Sequence, residues 1–152
     1  MPRGSRRLPK ECLQRLESTE LILHGGDVVA ASVLERLREL APVEAVAGNM
    51  DEPELLAELP QRRVVELDEA RIGMVHVPGP AAGRSERLVA AFPDCHAVVY
   101  AHTHIPEVSR FADVWILNPG SPTERRAAPA HSLLLLEIDS GEIRPELVTL
   151  FA

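Results

Sequence analysis

The chain has 152 residues, 45% of them hydrophobic and 26% charged. That balance fits one globular domain over residues 1–152, long enough to bury about two-thirds of its unfolded surface. A formal net charge of −7 argues against general nucleic-acid binding, which needs a basic patch to displace counterions from phosphates. No apolar stretch approaches the ~20 residues of a membrane span. The basic start, Met1 to Arg7, is followed by no apolar core of a secretory signal, so a cytoplasmic setting is expected. Cys12 and Cys95 have no framework or metal-type spacing, and free thiols are the default in that compartment. The cluster of Arg3, Arg6, Arg7 and Lys10 reads as a solvated surface loop.

Along the chain, short apolar runs alternate with amphipathic segments. Leu8 to Leu16 predicts a helix with Pro9 near its first turn. Leu21 to His24 predicts a strand that stops at Gly25-Gly26-Asp27. Val33, Leu34, Leu37 and Leu40 recur at helical spacing, which places a helix over Ser32 to Leu40. Glu44 to Ala47 reads as a strand ending at Gly48-Asn49, and Pro53 to Leu59 as a short helix.

Val64 to Leu67 and Ile72 to Val77 read as a hairpin about Asp68 to Arg71. A Pro/Gly loop, Pro78 to Gly83, leads into a helix around Ser85 to Ala91, then the buried strand at Val98 to Tyr100. Val114 to Leu117, Ser132 to Ile138 and Arg144 to Thr149 complete the strands, the last two joined by Asp139-Ser140-Gly141-Glu142. The first half is βα-alternating and the last third predicts a strand meander. Together they imply a layered α/β domain with one mixed sheet or two packed sheets.

Metal-capable side chains collect where strands end. Asp27, Asn49 and His76 each follow or close a predicted strand. His102 and His104 close the Val98 strand two residues apart, a spacing that sends both side chains to one face. Alone, a His-x-His pair is better read as two solvated loop histidines. Five candidate ligands on four successive strand ends point instead to a shared crevice, with Gly25, Gly26 and Gly48 letting the backbone turn sharply beside it.

Gly26-Asp27, Gly48-Asn49-Met50-Asp51, His76, Ala101-His102-Thr103-His104 and Asn118-Pro119-Gly120-Ser121 together resemble the calcineurin-like metallophosphoesterases, above all their small bacterial and archaeal phosphodiesterases. The resemblance implies a two-sheet α/β sandwich flanked by helices, in four layers α/β/β/α. It also implies hydrolysis of small phosphate esters by two divalent ions, Mn, Ni, Fe or Zn, that clamp the phosphoryl oxygens. Asp27 would then bridge both ions. Asn49, His76 and His102 would complete one ion's shell, with Asn49 close to the phosphate, and His104 would serve the other. Asp51 would orient a ligand rather than bind metal. Asn118 to Ser121 would border the site, and His24 would be a packed, hydrogen-bonded histidine. His96 and His131 match no motif and read as surface residues.

The family also carries an Asp-x-His at the end of its first strand, where this chain reads Met1-Pro2-Arg3-Gly4. The first strand and two ligands of the second ion are therefore expected to be missing. That should leave an unpaired sheet edge. A coding frame that extends upstream is the favoured explanation, and a natural loss of one metal site the other. Val77 after His76 and Ala101 before His102 stand where relatives have glycine, and Pro78-Gly79 would take over the turn. The competing reading is a metal-poor scaffold of the same fold that binds protein partners, as in the retromer complex. A mononuclear zinc hydrolase is a third, though it leaves Gly48 to Asp51 without a role. Assembly into a homo-oligomer is left open.

Overall fold

The computed structural model describes residues 7–150; Arg3, Arg6 and the opening Met1 to Gly4 lie outside them. The helices are α1 (Lys10–Glu17), α2 (Ala31–Arg38), α3 (Pro53–Glu58) and α4 (Arg84–Ala91). Pro9 stands at the N-cap of α1 and Pro53 in the first turn of α3, where a missing N–H costs nothing. The strands are β1 (Ile22–His24), β2 (Val43–Ala45), β3 (Arg62–Leu67), β4 (Ala70–Val75), β5 (Ala97–Tyr100), β6 (Glu107–Phe111), β7 (Val114–Asn118), β8 (His131–Asp139) and β9 (Glu142–Leu150).

Five strands form one sheet in the order β3-β4-β5-β7-β6. Its three central strands are parallel, and β3 and β6 close the edges antiparallel. All four residues of β5 are buried, as a parallel strand covered on both faces requires. On one face α4 sets Leu88 and Phe92 against Val98, Tyr100 and Ile116. The other face meets a second layer made of two separate pairs, parallel β1-β2 and antiparallel β8-β9. Leu23 from the first pair and Leu134, Leu136 and Ile138 from the second join Ile72, Val99 and Leu117 in one core.

Helices cover that second layer in turn. Leu34 of α2 and Leu55 of α3 pack with Ala45 of β2. Cys12 of α1 packs with Leu133 and Val148. Leu8 and Leu16, flanking or ending α1, reach both the β8-β9 cluster and the Ile22–Leu37 cluster. The order is helix, sheet, sheet, helix, the expected four-layer α/β/β/α sandwich. Among the described residues neither β1-β2 nor β8-β9 pairs with a third strand.

Three expectations need correction. The last third is not a meander, because β7 pairs parallel with β5 while β8-β9 sits in the other layer. Strand β6 was not foreseen: it is an edge strand with alternate residues exposed, and its charged sequence gives no apolar run. The hairpin turns are also tighter. Asp68-Glu69, Ala112-Asp113 and Ser140-Gly141 all have positive φ, the two-residue form that matches strand twist. Cys12 and Cys95 are both free and buried, in different clusters.

Candidate metal centre

The polar cluster stands at the C-terminal ends of β1, β4 and β5 and the loop after β2. Gly25 and Gly26 turn the chain out of β1 and deliver Asp27, itself in the left-handed region at φ 57°. Gly48 is the tightest point. A Cβ there would lie 2.1 Å from the Asp27 nitrogen and 2.4 Å from its Oδ1, so only glycine lets the two loops meet. Gly26 is similarly fixed, since its Cβ would meet the His76 ring at 2.6 Å. Asp51 ties the loops together: its carboxylate accepts the Val29 N–H at 2.8 Å and the Gly48 N–H at 2.7 Å. It touches no histidine in these bonds, so its orienting role falls on the backbone that carries Asp27 and Asn49 rather than on a ligand imidazole.

Four donors converge. His76 Nε2 lies 2.8 Å from Asn49 Oδ1, 3.3 Å from Asp27 Oδ2 and 3.3 Å from His102 Nδ1. His102 Nδ1 is 3.2 Å from Asn49 Oδ1. His76 Nδ1 donates to the Gly25 carbonyl at 2.8 Å. That bond fixes the tautomer and turns the lone pair of Nε2 toward the cluster. Two oxygens and two nitrogens thus face one another with lone pairs inward, an arrangement that calls for a proton or a cation between them. Donors held about 2.0–2.2 Å from one ion lie about 2.8–3.6 Å apart at octahedral to tetrahedral angles, and the contacts found run from 2.8 to 3.3 Å. Three His, Cys, Asp or Glu side chains do not by themselves form a metal-type group among the described residues; the set depends on the Asn49 amide oxygen.

Electrostatics favour the deprotonated forms. Burial opposes ionisation of Asp27, yet the adjacent His76 ring and the hydrogen bond from the Met50 N–H outweigh it and hold the carboxyl at about 2. Burial, then the neighbouring His76 and Arg126, pushes His102 below the ordinary imidazole range. His104 is lowered too, chiefly by burial and against the pull of its bond to the Glu124 carbonyl. Neutral imidazoles and an ionised carboxylate are the ligand forms.

His104 does not join the four. Its Nδ1 donates to the Glu124 carbonyl, leaving Nε2 as its free lone pair. His102 and His104 both sit at positive φ, 66° and 61°, so they leave loop backbone rather than a regular strand face. Asn118, fully buried, holds this loop by donating to the Ala101 carbonyl and the Thr103 hydroxyl at 3.3 and 3.0 Å. Asn118 to Ser121 therefore supports the histidine loop. A cavity of about 890 Å³ begins here, with Asp27, His76, His102 and His104 in its wall.

Arg126 was not foreseen. Its guanidinium donates to the His102 carbonyl at 2.9 Å, putting a cation at the rim, and only the path of the loop after Ser121 reveals it. His24 is hydrogen-bonded as expected, accepting the Gly26 N–H at 3.2 Å. His96 is exposed and accepts the Arg71 N–H, and His131 opens β8 half-buried. The Asp-x-His formed by Asp94, Cys95 and His96 enters β5 rather than leaving a strand, at the opposite end of the sheet from the cluster.

Strand-end donors above a helix-flanked double sheet define the metallohydrolase class of α/β sandwich. Within that class, the sequence matches the calcineurin-like phosphoesterase superfamily domain over residues 4–141, and the chain belongs to that superfamily. It is 32% identical over 150 residues to a probable metallophosphoesterase of Methanothermobacter thermautotrophicus, covering 97% of this chain and 86% of that protein. Vps29 of Entamoeba histolytica, solved in complex with zinc, superposes with a TM-score of 0.76 at 25% identity over 98% of this chain and 93% of that one. An archaeal phosphodiesterase shares the fold, with a TM-score of 0.68 at 21% identity and coverage of 91% and 90%.

Proposed function

We propose that the chain hydrolyses small phosphate esters, diesters foremost, at a divalent-metal centre held by Asp27, Asn49, His76 and His102. One observation carries this reading: four lone-pair donors converge within 2.8–3.3 Å with the His76 tautomer fixed from behind. Membership of a metal-dependent phosphoesterase superfamily and the zinc in the Vps29 relative support it. Divalent ions bound there would polarise phosphoryl oxygens and activate water for in-line attack. Asp27 would bridge toward a second ion on the His104 side. Asn49, exposed at the rim, would meet the phosphate, and Arg126 adds positive charge beside it.

The test is hydrolysis of a chromogenic phosphodiester with Mn²⁺ or Ni²⁺. Removing groups that merely orient a ligand costs about 10–100-fold, so Asp27→Ala or His102→Ala should lose more than about 100-fold while His131→Ala keeps full rate. Activity unchanged in His102→Ala would sink the assignment. The likeness to Vps29 favours a second reading, a scaffold that binds protein partners. Elemental analysis separates the two: stoichiometric metal after reconstitution supports the enzyme, its absence the scaffold.

A further inference from the structure

We propose that Arg126 makes this centre selective for phosphate esters that carry a second anionic group, a carboxylate or a further phosphate, beside the scissile one. The residue lies in the loop 121–130 that leads into β8, and the loop is built as a frame around it. At its start the hydroxyl of buried Ser121 accepts the Thr123 and Glu124 N–H groups at 3.3 and 3.0 Å. The Glu124 carbonyl in turn receives His104 Nδ1–H. Further on, the Arg125 guanidinium donates to the Ala128 and Pro129 carbonyls at 3.1 and 3.3 Å. The Ala128 N–H closes a turn onto the Arg125 carbonyl at 2.8 Å. Arg126 stands inside that turn with φ 48°, a conformation that residues other than glycine seldom adopt. Its side chain is exposed, so burial does not offset the strain.

The frame sends the guanidinium back over the histidine loop, where Nη1 donates to the His102 carbonyl at 2.9 Å. Its charge is felt at both the His102 and the His104 imidazoles. Bracing that loop does not account for the placement, because fully buried Asn118 already holds it through the Ala101 carbonyl and the Thr103 hydroxyl. Arg15, Arg36, Arg38, Arg63, Arg71 and Arg144 each lie against a carboxylate. Among the described residues no carboxylate pairs with Arg126. A guanidinium carries five N–H donors in a planar fork. The single Nη1 bond leaves the Nε–Nη2 edge open, and that edge matches two oxygens of one carboxylate or phosphate. In a chain of net charge −7, a rim cation paired with no acidic side chain answers to an anion from outside.

The fork stands one residue's breadth from the His102 ring that joins the four donors. A phosphoryl group at those donors has its ester substituent beside the open edge, and a negative group on that substituent meets the fork. An ester without one makes the central contacts alone. Because the fork touches no reacting atom, it binds ground state and transition state alike and lowers KM more than it raises kcat. The open edge rests on geometry alone; the substrate class rests on the proposed phosphoesterase reading.

The experiment compares two chromogenic diesters with one leaving group, p-nitrophenyl phenyl phosphate and p-nitrophenyl m-carboxyphenyl phosphate, each supplied with Mn²⁺. In wild type kcat/KM should be about tenfold or more higher for the carboxylated diester, as a charge-assisted pair gives. Arg126→Gln should lose most of that preference, with the loss in KM rather than kcat. A mere brace of the histidine loop would slow both diesters alike, so the ratio separates the two roles. With Zn²⁺ in place of Mn²⁺, NMR of the wild type follows the Arg126 Nε–H signal without turnover. It should move on adding m-carboxyphenyl phosphate and not on adding phenyl phosphate. A wild-type ratio near one, a ratio unchanged in Arg126→Gln, or an unmoved Nε–H signal overturns the selectivity. Equal hydrolysis of both diesters does so while leaving the phosphoesterase reading intact. Hydrolysis of neither, with the Nε–H signal moved, removes that reading and keeps the anion-binding edge.

Discussion

Single residues set the geometry of the centre, and Gly48 is the most exacting of them. Its α-carbon passes so close to Asp27 that a methyl group has no space. Gly48→Ala should cost about 1–3 kcal/mol as an overpacking change and weaken Mn²⁺ binding; urea unfolding and metal titration check both. His24 sets an acid limit. Burial, assisted by the nearby His76, lowers its pKa to about 3, and its Nδ1 needs a lone pair to receive the Gly26 N–H. The unfolded chain binds that proton near pH 6.5 and the native chain does not. Stability should therefore fall as pH drops from about 6.5 toward 3, at up to about 1.4 kcal/mol per pH unit from this residue. Asp27 acts only lower, between its ordinary 3.8 and about 2. Between pH 6.5 and 4.5 the unfolding midpoint should fall more steeply in wild type than in His24→Gln, and equal slopes would show that His24 is not the cause.

Elements show what patterning can and cannot reveal. Helical spacing and proline positions placed α1 to α4 within two residues, because each helix has one apolar stripe and a clear start. Asp27, Asn49, His76 and His102 were legible for a related reason: each follows a strand end, and the strand ends of the two packed layers open on the same crevice. His104 parted from His102 because both residues adopt left-handed backbone, where the i, i+2 rule for strands no longer holds. Strand β6 was missed because half its residues face solvent, and Arg126 because loop paths are set by contacts far away in sequence. Turn chemistry also yields a prediction. Glu69 sits at φ 68° in the β3-β4 turn, a conformation that costs a non-glycine residue about 1–2 kcal/mol. Glu69→Gly should stabilise the chain by about 1 kcal/mol, read as a higher urea midpoint with an unchanged slope.

At the scale of the whole molecule, stability is unevenly shared. Strands β4, β5 and β7 are flanked on both sides and covered on both faces. The pairs β1-β2 and β8-β9 each have two strands, a unit that is marginal without packing from outside. Hydrogen exchange should therefore be slowest in β5 and its neighbours and faster in both pairs. Equal protection in β8 and β5 would refute this division.

The β8-β9 hairpin is fastened at both ends without help from a neighbouring strand. At its tip, Gly141 and Ser140 donate to Asp68 at 2.7 and 2.8 Å. At its start, the Ser132 hydroxyl donates to Pro119 at 2.8 Å and its N–H to Ser121 at 3.1 Å. A beam clamped at two points keeps its shape under load, so the entropy of ordering this hairpin is lost once, during folding.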